Sequence, residues 1–424
     1  MTLLVLGLLP AALLAMGVPI FAVLMVATLG GIMLGPNPVQ AIHSAMFGSL
    51  DIFPLLAVPL FIFAGDIMAR GGIASRLIQL ILAVVGGVRG SLGMATIASS
   101  EVFGVMSGSA VACVAAIGRL TIPSLRKNGY GDIFPTSLVA ASGVISVIIP
   151  PSIPMIIYGI AAQQSVPLLF LAGFVPGILI GGALALYVYV HARRHGIPIA
   201  ERPDAETVRK LARGSIWAVL APVVILGGIY GGLFTPTEAA GVACIYAIFV
   251  AVFIYREIGW RDLWDISIES AALSAQVLII VSAAGAFGWL ITTSGYPAQL
   301  IAFVDGLKLD TWMLLLVINI ILLFVGSVLE PPAAILLLTP LLTPIVHAAG
   351  VDPIHFGIIV TVNLAVGMFM PPFGLNLFAA NALFNTPLPK LYRGVLPFLV
   401  VYLVMLAIIT YIPAITLKPV ALLK

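Results

Sequence analysis

Charge is what this sequence has least of. Only 8% of its 424 residues are Asp, Glu, Lys or Arg, where a soluble globular chain carries roughly 25%. So few charges cannot solvate a soluble protein of this length, and that class is excluded. Cysteine is nearly absent. Cys113 and Cys244 sit in apolar runs and suggest no disulfide framework. The net charge of +3 comes with no basic block, so there is no footprint for nucleic acid. The five histidines are scattered without metal-ligand spacing, and no Ser/His/Asp or Cys/His set stands out. Catalysis therefore has little support. The N-terminal run MTLLVLGLLPAALLAMG lacks the positive n-region of a secretory signal and reads as a retained first helix.

What the chain has is hydrophobicity, 62% of residues, in apolar runs that recur from end to end. That describes an all-α polytopic membrane protein. Two stretches interrupt the runs most sharply: Ile149–Ser152 (IPPS) and Met370–Gly374 (MPPFG). A double proline removes two backbone donors and breaks a helix. Broken backbone at membrane depth survives only where protein covers it or it lines a wet cavity. Paired breaks in matching halves of a chain are a pointer to a transporter-type binding site.

Taken in order, residues 1–34 are apolar with a break at Gly17-Val18-Pro19, and 52–69 form a span ending at Arg70. Residues 73–89 look short and interfacial. Residues 91–120 are rich in Gly, Ala and Ser and interrupted at Ser107-Gly108-Ser109, the pattern of a re-entrant hairpin of two half-helices too short to cross. A first broken helix covers 131–164, and a plain span follows at 166–190. The polar stretch His191–Arg213 holds six of the 19 Lys and Arg and marks the cytoplasmic side. Spans are expected at 215–233 and 237–255, an amphipathic interfacial segment at 259–270, and a span at 273–293. A second hairpin covers 311–346, a second broken helix 353–385, and a last span 394–416.

The halves repeat. Pro123 and Pro344 are 344 − 123 = 221 apart, and the same offset relates Gly129 to Gly350, Pro150 to Pro371, Pro151 to Pro372, Gly173 to Gly394 and Pro176 to Pro397. Arg89, Arg119, Arg126 and Lys127 surround the first hairpin, whereas only Lys308 and His347 flank the second. Opposite charge bias implies opposite orientation, hence an inverted-topology repeat. Residues 1–190 form the first repeat, 191–213 a cytoplasmic connector and 214–424 the second. Symmetry then favours two short crossings before residue 34, with both termini outside.

Several stretches resemble one family. SGSAVACVAAIG at 107–118, GYGDIFPTSLVAASGVISVIIPPSIPMIIYG at 129–159 and FLAGFVPG at 170–177 are similar to the large membrane subunit of tripartite ATP-independent periplasmic (TRAP) transporters. So are FTPTEAAGV at 234–242, GVDPIHFGIIV at 350–360 and MFMPPFGLNLF at 368–378. The likeness covers nearly the whole chain. One departure is Glu330, where the family pattern leads us to expect an aspartate. The resemblance implies a secondary carrier of organic acid anions, such as C4-dicarboxylates or sialic acid, in the bacterial inner membrane. It implies sodium as coupling ion and no other cofactor. It further implies an elevator-type mechanism, a periplasmic substrate-binding protein and a small four-helix membrane subunit. A stand-alone sodium- or proton-coupled divalent-anion symporter, needing no binding protein, shares the same hairpins and breaks.

Sodium prefers oxygen ligands, and unwound backbone offers carbonyls that a helix would otherwise engage. One sodium site is assigned to Ser107, Gly108 and Ser109 with Ser142, Ser146 and Pro150. By symmetry a second takes Gly326 and Ser327 with Asn363, Gly367 and Pro371. Asn363 falls at the repeat position of Ser142 (363 − 142 = 221). Half-helix N-termini near Ser152 and Gly374 suit an anion, and Tyr158, Asn376 and Asn381 are the substrate candidates, with Gln163 and Gln164 beside them. Among the acids, Glu238 in Thr235-Pro236-Thr237-Glu238 reads as a capping-box residue. Glu101 lies inside the first hairpin, where a buried acid is costly, or else faces its mouth. Asp66 reads as a solvated boundary residue.

Overall fold

The structure is a computed structural model describing residues 9–34, 38–199 and 203–422. Every regular element among them is helical. The N-terminal run divides at Gly17–Pro19 into α1 (Leu9–Ala15) and α2 (Ile20–Met33); its residues 1–8 lie outside the described ones. Next comes α3 (Gln40–Leu50), which no long apolar run announces. A tight 3-10 turn over Phe53–Leu56 enters α4 (Ala57–Arg70), and the two make a membrane-length apolar span. α5 (Ile73–Val84) is short.

The first hairpin is α6 (Ser91–Ser107) and α7 (Ala110–Lys127). It turns at Gly108, whose φ of +57° suits a residue without Cβ. Ser109 caps α7, accepting from Ala112 N–H at 3.4 Å. The arms fold back on each other: Cys113 Sγ lies 3.9 Å from Ser100 O, and at the base Gly93 N–H donates to Tyr130 Oη at 3.4 Å. They are longer than the expected half-helices, because α7 continues to Lys127 rather than ending near 120. At roughly 1.5 Å per residue each arm is about 26 Å, so shortness does not mark these arms as half-helices.

α8 (Phe134–Gly143), a 3-10 turn over Val144–Val147 and α9 (Ile153–Ala161) make the first broken helix. The span α10 (Val166–Arg194) leads to the connector, which carries α11 (Ala205–Gly214), a helix without a buried residue. The chain bends by 54° into α12 (Ile216–Tyr230). α13 (Pro236–Ile248) ends in a π-helical turn over Phe249–Ile254. It starts with the expected capping box: Thr235 Oγ1 accepts from Glu238 N–H at 3.3 Å and Glu238 Oε2 accepts from Thr235 N–H at 2.8 Å. Thr235→Ala is therefore expected to lower the Tm by a few degrees and leave the activity per folded molecule unchanged. A thermal melt and an activity assay of the same preparation check this.

Two expectations are corrected at α14 (Trp260–Thr293). The interfacial segment and the span beyond it are one unbroken helix of 34 residues. Its polar stretch continues straight into the span and packs on α4: Ser270 Oγ donates to Asp66 Oδ2 at 2.6 Å, and Arg70 pairs with Glu269. Asp66 is accordingly part of a helix–helix contact, not a solvated boundary residue. α15 (Tyr296–Gly306) follows. α16 (Thr311–Val328) and α17 (Pro331–Ala348) form the second hairpin, closed at its base by Thr311 Oγ1 donating to Ala349 O at 3.2 Å. α18 (Pro353–Gly367) and α19 (Leu375–Phe384) are the second broken helix; α20 (Leu388–Tyr411) and α21 (Ala414–Ala421) end the described chain.

Element bounds recur at the sequence offset. α7 and α17 share it at both ends, 331 − 110 = 221 and 348 − 127 = 221. Between the hairpins, α14 packs on α2, α3, α4 and α17, while α4 packs along α13.

Candidate functional site: two hairpin tips on two broken helices

Each hairpin tip rests on the break that follows it in sequence. A Cβ on Gly104 would come within 2.6 Å of Ser146 Cα, and one on Gly108 within 3.4 Å of Pro151 O. In the second half a Cβ on Gly326 would lie 3.0 Å from Leu364 Cα, and one on Gly367 only 2.3 Å from Gly326 C. Glycine at these crossings lets broken backbone meet hairpin backbone with no side chain between them. Of the sequence candidates, the structure brings Gly108 to Pro151 and Gly326 to Gly367, with Gly104 on Ser146 beside the first pair; Ser107, Ser109 and Ser327 bond within their own hairpins.

The first break is wholly buried, every residue from Pro135 to Gly159. Its polar groups are tied locally. Ser146 Oγ donates to Gly143 O at 2.7 Å, Ser152 Oγ donates to Val147 O and accepts from Met155 N–H, and Ser142 Oγ lies 3.1 Å from Ser100 Oγ. A hydroxyl that has given away its proton keeps acceptor lone pairs, so these serines still suit a cation. Two residues from the second half reach in. Tyr402 Oη donates to Ala141 O at 2.7 Å, and Asn376 Nδ2 donates to Ala140 O at 3.2 Å.

The second break differs. Ile354–Phe369 is buried, but Pro372 and Phe373 open to the surface. Both Pro-Pro bonds, 150–151 and 371–372, are cis. Asn363 Nδ2 donates to Asn319 Oδ1 at 2.6 Å and to Ile359 O at 2.8 Å, and Asn319 Nδ2 donates to Thr410 Oγ1 at 3.3 Å. The oxygens Asn363 Oδ1 and Asn376 Oδ1 are buried and have no donor. A buried acceptor left unpaired costs about 1–3 kcal/mol, and a cation or a polar ligand would relieve it.

The substrate candidates divide. Asn376 stands between the two breaks. Gly374 is buried in a tight loop, where a Cβ would come within 2.7 Å of Met368 O. Ser152 is occupied as the cap of α9. Tyr158 Oη donates to Pro353 O at 2.8 Å and its ring packs edge-on to Phe356, so it fastens α9 to α18. Asn381 Nδ2 donates to Thr386 O at 2.8 Å, closing the end of α19. Gln164 Nε2 donates to Ala162 O at 3.1 Å, and Gln163 takes a φ of +55°. Glu101 is half-buried and fills the notch over Gly181 of α10, where a Cβ would meet Glu101 Oε1 at 1.5 Å. Glu330 is exposed at the second tip and makes no side-chain cap bond to α17. Asn319 and Tyr402 escaped the sequence reading. Asn319 had a signal, a lone amide within the apolar run TWMLLLVINIILLFVGSV; Tyr402, in a plain span, had none.

Known proteins share this fold. The YdaH transporter of Alcanivorax borkumensis superposes with a TM-score of 0.66 over 95% of this chain and 97% of its own, at 15% identity. MtrF of Neisseria gonorrhoeae superposes at 0.65 over 97% and 96%, at 14% identity. At such identities the likeness concerns the fold alone. Sequence relatives are nearer. The chain is 42% identical over 407 residues to the isethionate TRAP transporter permease protein DctMQ of Oleidesulfovibrio alaskensis, covering 96% of this chain and spanning 64% of that protein's length. It is 41% identical to the C4-dicarboxylate TRAP transporter large permease protein DctM of Pseudomonas aeruginosa, over 91% of this chain and 90% of that one. To the sialic acid TRAP transporter large permease protein SiaM of Vibrio cholerae it is 36% identical, over 95% and 94%. The family described as the tripartite ATP-independent periplasmic transporter, DctM component, matches residues 7–415, so this multi-pass membrane chain belongs to the DctM family of TRAP large permeases.

Proposed function

We propose that this chain is the transport subunit of a sodium-driven importer of organic acid anions in the bacterial inner membrane. A periplasmic binding protein delivers the substrate, and a small four-helix membrane subunit completes the complex. The observation that carries the reading is the pairing of each hairpin tip with a broken helix, with Asn363 Oδ1 and Asn376 Oδ1 left buried and unpaired beside them. Sodium would be held by Ser107, Ser109, Ser142 and Ser146 with nearby carbonyls in one half. In the other half Gly326, Ser327, Asn363 and Gly367 serve. Bound sodium supplies positive charge next to the substrate carboxylate. Asn376 and the N-terminal amides of α9 and α19 supply donors. The relatives' names support a substrate among C4-dicarboxylates, sialic acid, isethionate and similar acids. Residues 1–190 and 214–424 are read as inverted repeats whose hairpins and broken helices move together as an elevator against the remaining helices.

The test is uptake into liposomes holding the chain, its small subunit and the binding protein, with and without a sodium gradient. Uptake that needs every component and sodium supports the proposal. Sodium-driven uptake by this chain alone replaces it with a stand-alone anion symporter. Ser107→Ala and Ser109→Ala each remove one hydroxyl oxygen from the first tip. Each is expected to raise the sodium half-saturation constant about tenfold, equivalent to ~1.4 kcal/mol, with maximal rate retained. Unchanged sodium activation curves in both would remove those side chains from the site.

A further inference from the structure

Away from the breaks, the corner between α11 and α12 meets the end of the 236–254 span. Tyr255 Oη donates to Gly214 O at 3.0 Å and accepts from Ala218 N–H at 3.2 Å. Ser215 Oγ donates to Arg76 O at 3.1 Å, and the Arg76 guanidinium lies 3.9 Å over the Tyr255 ring and pairs with Glu257 at 2.8 Å. Arg213 and Arg256 flank this knot, each next in sequence to one of the two residues that the Tyr255–Gly214 bond joins. Both are exposed. Among the described residues no carboxylate pairs with either, since Glu257 is on Arg76, Glu206 on Lys210 and Asp262 on the Gly259 N–H.

From the knot an aromatic row runs over the surface. Ring centroids are 6.3 Å apart for Trp217–Phe249, 6.0 Å for Phe249–Phe253 and 6.1 Å for Phe253–Trp260. All four rings are exposed, Trp260 by 66%. The π-helical turn over Phe249–Ile254 carries the middle of the row, and such turns are frequent at functional sites.

We infer that this corner binds an anionic phospholipid of the cytoplasmic leaflet, its phosphate on Arg213 and Arg256 and an acyl chain along Trp217, Phe249 and Phe253. Position argues for it: the apolar span Pro236–Ile254 ends here, which sets the arginines at headgroup depth and the row at the interface and below. Charge argues for it too. Guanidinium forks match phosphate oxygens; Arg256 Nε donates to Phe253 O at 3.4 Å, and two cations without a carboxylate partner among the described residues favour a lipid of net negative charge over a zwitterionic one.

The experiment places the full-length permease in phosphatidylcholine nanodiscs and titrates in phosphatidylglycerol while following Tm. The wild type is expected to gain several degrees, an effect that shrinks with added salt. R213Q/R256Q should match the wild type in phosphatidylcholine and lose most of the gain. R213K/R256K, which keeps the charge but not the fork, should retain the part of the gain that salt screens and covers the case in which the glutamine pair does not fold. Equal gains in the wild type and the glutamine variant overturn the site. So does no gain in the wild type, or the same gain from soluble glycerol phosphate without the anionic lipid. Loss of the gain when the small membrane subunit is added also overturns it, because the surface is then a protein interface.

Discussion

Gly367→Ala is expected to abolish transport and lower the Tm of the permease. The added Cβ would lie 2.3 Å from Gly326 C, 2.5 Å from Gly326 O and 2.7 Å from Gly326 Cα. All three are backbone atoms, so no rotamer change relieves the clash. The second hairpin tip must leave the second broken helix, or α18 must shift. Overpacking of this kind costs about 1–3 kcal/mol and sometimes more. The functional loss should exceed the stability loss, because the contact is also where the two oxygen-bearing elements meet. Gly182→Ala on α10 is the control: its added methyl meets nothing within 4 Å, and it should behave as wild type. Sodium-driven uptake and a thermal melt of both variants decide the matter. Full uptake by a correctly inserted Gly367→Ala permease would mean that the tip need not touch the break.

The second large effect is expected at Asn363. Its amide nitrogen bonds Asn319 and Ile359 O, whereas its oxygen has no donor. Asn363→Ala thus has two consequences that can be measured separately. It strands Asn319 Oδ1, at about 1–3 kcal/mol of stability. It also removes an oxygen that no protein group uses, and the sodium half-saturation constant is expected to rise at least tenfold, ~1.4 kcal/mol. Asn319→Leu separates the two. It disrupts the same network and leaves Asn363 Oδ1 in place, so it should cost stability without moving sodium activation. Equal shifts in sodium dependence for both variants would make Asn363 a packing residue and not a ligand.

The residues that the sequence misassigned or did not single out share a physical character. Asp66 follows an apolar run and precedes Arg70, the usual pattern at a span boundary. What makes it part of a contact is Ser270, 204 residues away. α14 reads as two segments because its first three turns carry charge; α4 supplies partners for Glu269 and Ser270, where the polar stretch joins the apolar one. Tyr402 is indistinguishable from any interfacial or core tyrosine until its hydroxyl is seen on Ala141 O. Tyr158 and Asn381 looked like ligands for the opposite reason. Their polar atoms are as suitable as those of Asn376, and only the fold gives them backbone partners.

By itself the sequence determined the class, most of the helical spans and the positions of both interrupted hairpins and both proline breaks. Charge scarcity, helix-breaking prolines and glycines and a fixed offset of 221 are local or periodic properties, and backbone chemistry alone makes them legible. Tertiary structure decided which oxygens remain unpaired, which glycines stand where two backbones cross, and which arginines lack a carboxylate. Each of these depends on a partner far away in the chain. Whether a polar atom is left open to a ligand is settled only by what packs against it.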